Sequence, residues 1–315
     1  MQVMTVSGLI DANQMGVTDA HDHLFLRSPI LAGEEIQDPA AVAQEMRDGA
    51  RSGLATIVEL TPIGLGRRPE LLRMVSEATG VHVIGATGYH RDAHYPPGHW
   101  VLGASELTLI NRMRRDLTEG MHPTDWSDPD LALDQSRAGV IKVGASLDEM
   151  TPNEARRLAC AAAVAAATGA AVVVHTEVAT CADEITDLLV GEGLPVEQII
   201  LAHMDRNPDP ARHIALLERG VMLVYDTIGR TKYHPDRARI DLIEAVCAAG
   251  RGDQILLGLD IGRASTLHVN GGYGLRYLMD DFVPRLRGRI GESATQRMLI
   301  DNAAAAFALR TPVAA

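Results

Sequence analysis

Eight short apolar runs, each closed by a Gly, His, Asp or Pro and followed by a helical pattern, recur along the chain and constrain its fold more than any other feature. They are residues 17 to 23 (VTDAHDH), 55 to 60 (ATIVEL), 82 to 88 (HVIGATG), 139 to 143 (GVIKV), 171 to 175 (AVVVH), 199 to 203 (IILAH), 221 to 225 (VMLVY) and 255 to 260 (ILLGLD). Several are apolar throughout, the pattern of strands in a parallel sheet covered by helices. Between them lie helix signals. The clearest is Thr151-Pro152-Asn153-Glu154, an N-cap with Pro at the first helical position and Glu at the third, opening an Ala-rich run that stops at Gly169. Eight strands with helices between them predict an α/β fold closed as a (β/α)₈ barrel. An open, doubly wound sheet would carry a Gly-rich phosphate loop after its first strand, and GxGxxG is absent there. With no linker, repeat or low-complexity tract, residues 1–315 read as one barrel domain. The stretch from His90 to Ala138 is long for a connection and is expected to cover part of the barrel mouth.

Polar residues gather where these runs end. His21 and His23 lie two apart on a strand, so both side chains face one side, which in a barrel is the interior. His175, His203 and Asp260 end three later runs, and Lys142 follows the apolar GVI. Barrel enzymes place their catalytic groups at these C-terminal strand ends. Imidazole and carboxylate groups converging from separate strands point to bound divalent metal. An ammonium in such a pocket is disfavoured. A deprotonated Lys142 can react with carbon dioxide to give a carbamate that bridges two metals; the other reading is a lysine that binds a substrate anion.

The segments GVTDAHDHL, AGVIKVGAS, VVVHTE, ILAHMD and GLD resemble the metal-binding segments of the phosphotriesterase family of the amidohydrolase superfamily. TIVELTPIGLGRRPELL and GVHVIGATGYH follow the family pattern around strands two and three, so the resemblance runs nearly end to end. It implies a TIM barrel with a binuclear centre: His21, His23 and Asp260 on the more buried metal, His175 and His203 on the more exposed one, and N6-carboxylated Lys142 between them. Two adjacent ions lower the pKa of a bridging water, and Asp260 would orient it and carry its proton to the leaving group. Zinc suits this donor set, with manganese and cobalt as alternatives.

The family's members resemble organophosphate triesterases, acyl-homoserine lactonases and sugar lactonases, and their differences lie in the loops. Here the loop after strand seven, YDTIGRTKYHPD, carries Arg230 and Lys232, and the loop after strand eight, DIGRASTLHVNGGYG, carries Arg263. Cations at the mouth suggest capture of an anion, and Arg and Lys suit phosphate. This is similar to the branch that hydrolyses phosphorylated sugar lactones, where a lysine and an arginine on these two loops hold the phosphate. One departure is Thr266-Leu267 where an aromatic partner is expected, with Tyr273 further on. Tyr89 and His90 are expected to line the substrate pocket, Glu59 to support the ligands and Arg67 to close the strand-two loop. A phosphotriesterase or an apolar lactonase with the same centre is the alternative, and a non-catalytic metal-binding barrel a further one.

Net charge excludes one class of partner: 29 Lys+Arg against 41 Asp+Glu give −12, which repels a nucleic-acid backbone. No run approaches 18 apolar residues, and the N-terminus shows no basic start followed by an apolar stretch, so no membrane partner and a cytoplasmic location are expected. Cys160, Cys181 and Cys247 lack C-x-x-C spacing and read as free thiols in a reducing compartment. Barrels of this kind often pair as homodimers through their helical exterior.

Overall fold

The computed structural model of the protein describes residues 1–312. The eight runs form eight parallel strands: β3 (Thr18–Asp22), β4 (Thr56–Glu59), β5 (His82–Tyr89), β6 (Ala138–Gly144), β7 (Ala171–His175), β8 (Ile199–Ala202), β9 (Met222–Tyr225) and β10 (Ile255–Leu257). They hydrogen-bond in sequence order from β3 to β10, each parallel to the next. The chain beyond β10 returns to the first barrel strand: the Asp260 amide donates to the His21 carbonyl (2.9 Å) and the Ile261 amide to Asp22 Oδ1 (3.1 Å). Gly258 lies at this seam, where a Cβ would stand 2.9 Å from the His21 amide nitrogen.

Strand parity divides the core in two. Val140, Val173, Ile200, Val224 and Leu256 fill the barrel interior, while Ile141, Val172, Leu201, Leu223 and Leu257 pack outward against the helices. Ala20 belongs to the interior and His21 opens into the cavity, so alternation breaks between neighbours. The register shift of β3 against β4 between Asp19 and Asp22 accommodates this. The N-terminal end is plugged by Met15, Phe307 and Ala308.

The helix after β6 runs from Pro152 to Thr168 with the expected reciprocal cap: the Glu154 amide donates to Thr151 Oγ1 (3.2 Å) and the Thr151 amide to Glu154 Oε2 (3.0 Å). Gly169 ends it at φ +76°, and a Cβ there would meet the Arg310 carbonyl.

Three features differ from the sequence expectation. An antiparallel hairpin, β1 (Gln2–Thr5) with β2 (Gly8–Asp11), precedes the barrel; its four-residue strands are too short to give a periodic signal. The runs ending at His203 and Asp260 overshoot their strands, because both residues turn out of the sheet with left-handed backbones, φ +63° and +50°. The stretch after β5 is mostly not a cover for the mouth. It contains the helix Glu106–Thr118, packed on the barrel exterior, and only its first residues reach the cavity.

Candidate metal centre

A cavity of about 450 Å³ opens at the C-terminal ends of the strands and contains His21, His23, Lys142, His175, His203 and Asp260. One nitrogen of each imidazole in this group is held by the protein. Asp226 takes two rings at once: Oδ2 bonds His21 Nδ1 (2.6 Å) and Oδ1 bonds His203 Nδ1 (2.7 Å). His23 Nδ1 bonds Thr61 Oγ1 (2.9 Å), whose hydroxyl donates in turn to Glu59. His175 Nε2 bonds Glu177 Oε2 (3.1 Å). Each ring therefore has a fixed orientation and a second nitrogen left to coordinate, the arrangement in which outer partners orient metal ligands.

The remaining donors converge. His21 Nε2 lies 3.2 Å from Lys142 Nζ and 3.6 Å from Asp260 Oδ1, and His23 Nε2 lies 3.3 Å from that same oxygen. One ligand atom each from His21, His23 and Asp260 fit within 4.8 Å of one another, as do those of His21, His203 and Asp226. Asp226 already binds two rings, so its role is to orient them.

Electrostatics agree with this donor set. Burial pushes His21 down to about 4 and His175 to about 3, and His203 well below the usual imidazole range, which leaves neutral rings with lone pairs. Lys142 is 1% exposed, forms no ion pair among the described residues, and is pushed down by burial to about 8. At pH 7 such an amine is unprotonated in roughly a tenth of molecules, far more often than an ordinary lysine. Burial raises Asp260, yet Arg230, His203 and His21 hold it well below the carboxylate range. The residues present thus fit two divalent ions: four oriented imidazoles, one ionised carboxylate, and an amine able to become an anion.

The expected substrate residues separate into three kinds. Lys232 and Arg263 line the cavity mouth, are exposed, and make no ion pair among the described residues. Arg230 also lines the cavity, but its guanidinium is engaged by Asp260 Oδ2 (2.6 Å). Tyr89 does not line it. Its ring is fully buried against Trp100, with the hydroxyl donating to the Leu109 carbonyl (3.1 Å). The reason is parity: Tyr89 pairs in register with Val143, the outward neighbour of Lys142. His90, its successor, faces the cavity instead.

Sequence reasoning missed Asp226, Glu177, Arg206, Arg91 and His94. Arg206 Nη2 contacts Asp260 Oδ2 (3.1 Å), and Arg91 Nη1 contacts Glu177 Oε2 (2.8 Å). The signal available was position: Asp226 follows β9 directly, as His203 follows β8. Glu59 and Arg67 act as expected. The Glu59 carboxylate backs the Thr61–His23 contact, and Arg67 donates to the Ala86 carbonyl (2.9 Å), while also pairing with Asp116 and Asp125.

Comparison with known proteins bears on this arrangement. The model of the phosphotriesterase family matches residues 1–307. The phosphotriesterase homology protein of Escherichia coli is 30% identical over 279 residues, covering 86% of this chain and 90% of that protein. A phospho-furanose lactonase of Mycoplasmopsis agalactiae is 29% identical, covering 95% of this chain and 89% of that one. Among solved structures, an amidohydrolase from Mycoplasma synoviae superposes with a TM-score of 0.93 at 27% identity, covering 98% of this chain and 92% of that one. With its barrel, its strand-end donors and a family match over nearly its whole length, the chain belongs to the phosphotriesterase family, whose members are binuclear metal hydrolases.

Proposed function

We propose that this protein is a metal-dependent lactonase that opens a phosphorylated sugar lactone. In this reading His21, His23 and Asp260 hold the more buried of two divalent ions, His175 and His203 hold the other, and Lys142, carboxylated on Nζ, lies between them. The observation that carries the substrate is the pair of unpaired cations, Lys232 and Arg263, on adjacent loops above these donors. Relatives described as phospho-furanose lactonases support it.

When bound, two adjacent divalent ions, zinc by its fit to imidazole and carboxylate, ionise a water near neutral pH and polarise the carbonyl under attack. The chain's own groups do the rest. Lys232 and Arg263 hold the phosphate and so fix the lactone ring over the donors. Asp260 accepts the proton of the attacking water and delivers it to the ring oxygen as the acyl C–O bond breaks, giving the hydroxy acid. Arg206 and Arg230, both on Asp260 Oδ2, keep that carboxylate ionised and oriented. The unpaired thiols of Cys160, Cys181 and Cys247 support a reducing compartment, and we place the protein in the cytoplasm. No helix of the described residues is long and apolar enough to cross a membrane.

A second reading, hydrolysis of neutral triesters or apolar lactones, is favoured by one wall of the cavity, where Leu26, Ile30, Leu31 and Leu65 meet. Comparing kcat/KM on sugar 1,4-lactones with and without a terminal phosphate, with a paraoxon-like triester as control, separates the two. Zinc- or manganese-loaded enzyme is expected to prefer the phosphorylated lactone strongly, and Arg263→Ala to raise KM for it at least about tenfold more than for its unphosphorylated analogue. A preference for the triester removes the substrate and leaves the metal donors standing.

A further inference from the structure

Six histidines line the cavity, and four of them belong to the donor set. The other two, His90 and His94, stand on the loop after β5 with ring centroids 3.8 Å apart and planes tilted by 31°. Neither enters the clusters of converging ligand atoms. Both are buried, at 6% and 9% exposure, and the backbone of His90 is held from two directions. Its amide donates to the Tyr95 hydroxyl (2.8 Å), and Arg157 donates to its carbonyl (3.0 Å).

The tautomer of His90 is set by its surroundings. Its Nδ1 accepts from the Arg91 amide (2.8 Å), so the proton of the neutral ring is on Nε2. That N–H has no protein acceptor among the described residues. His94 Nδ1 is occupied by Ser28 Oγ (3.2 Å), which likewise leaves Nε2 as the ring nitrogen without a partner. Two neutral polar atoms in a buried cavity call for a neutral polar ligand group, since an anion would choose the cations and an apolar group would leave them unsatisfied.

Their place in the barrel says which part of a substrate they meet. Strand β5 stands four places from β9 in an eight-stranded closed order, so the two lie on opposite sides of the mouth. Lys232 follows β9, and the donor set fills the floor between. We infer that His90 and His94 form a hydroxyl-binding subsite that reads the ring hydroxyls of the lactone on the side away from its phosphate. The inference rests on the lactonase reading and adds to it a preference for polyhydroxylated rings.

The test uses zinc-loaded full-length enzyme, a phosphorylated sugar 1,4-lactone, and its 2-deoxy and 3-deoxy counterparts. Wild type is expected to favour the hydroxylated lactone over at least one deoxy form by about tenfold or more in kcat/KM. His90→Asn keeps an acceptor for the Arg91 amide and drops the Nε2 donor; it should lower that preference about tenfold with metal content unchanged, and His90→Gln should restore part of it. His94→Phe, which keeps a stacked ring, should lower it as well. Equal wild-type rates on all three lactones overturn the subsite without recourse to any variant. So does loss of metal from His90→Asn, which would make the residue a support for His175, whose ring lies 4.7 Å away. A wild type that opens no phosphorylated lactone overturns the lactonase reading itself, and the subsite falls with it.

Discussion

At the scale of single residues, the site depends on a carboxylate that touches no substrate. Asp226 is fully buried, and its two oxygens hold His21 and His203 through Nδ1. Asparagine offers one acceptor where two are needed, so Asp226→Asn should lower zinc affinity about tenfold to hundredfold. A metal titration with an affinity equal to wild type would show that the rings orient themselves. His203 and Asp260 carry a different burden, since left-handed backbones cost non-glycine residues about 1–3 kcal/mol each and persist where neighbours enforce them. Asp260→Asn, which tolerates that conformation, should still fold while losing most of its kcat. Wild-type turnover in this variant would end the role assigned to Asp260. That His21, His23, Lys142, His175, His203 and Asp260 meet in one cavity was legible because they stand at the ends of apolar runs, and chance does not supply His, Lys and Asp at five such ends. Tyr89 was misplaced for want of one fact, the register of β5 on β6, which no single strand contains. Asp226 was illegible because an acid after a strand reads equally well as an ordinary loop residue.

Among the elements, the two loops that carry Lys232 and Arg263 are held down by buried ions. Arg239 is fully buried and binds Asp205 (2.7 Å), Asp236 (3.1 Å) and the carbonyls of Arg230 (3.2 Å) and His234 (2.8 Å). Asp205 also accepts from the amides of Asp226 and Thr227, so one salt bridge fixes both the orienting carboxylate and the cationic loop. Glu45 does the equivalent for the loop after β10, accepting from Val269 and Leu275. Removing the cation leaves the buried Asp205 without its counter-ion, while Asp236 keeps Arg285 (2.8 Å), and Arg239→Met should destabilise the fold by about 3–5 kcal/mol in urea unfolding. A loss below about 1 kcal/mol would mean that water replaces the guanidinium. Thr151→Ala, by contrast, removes only a helix cap and should cost about 1 kcal/mol with metal affinity untouched. The cap could be read from sequence because it is local, four residues long. The Arg239 network could not, because its partners come from three separate elements.

For the molecule as a whole, closure is the critical event. Gly258 lets β10 approach β3, and a methyl group there would press on the His21 amide. Gly258→Ala is therefore expected to lower stability by about 1–3 kcal/mol and to weaken metal binding in parallel, two effects that calorimetry with and without zinc would separate. Chelation of wild type should lower its Tm, because the ions bind only the assembled donor set and stabilise the folded state by mass action. An unchanged Tm would place the donors in a framework indifferent to its ions. The barrel was legible because parallel strands covered by helices leave short runs that are apolar throughout. The β1–β2 hairpin was not, being held by tertiary contacts such as the Leu309 amide on the Gln2 carbonyl.

The seam between Asp260 and His21 also sets a timetable for the protein's birth. His21 leaves the ribosome early and Asp260 late, with the whole barrel made in between. A nascent chain shorter than β10 holds histidines but lacks the strand that completes their geometry. On the proposed ligand set, loading with metal belongs to the finished polypeptide, and products truncated before Asp260 should bind divalent metal more weakly than the full chain.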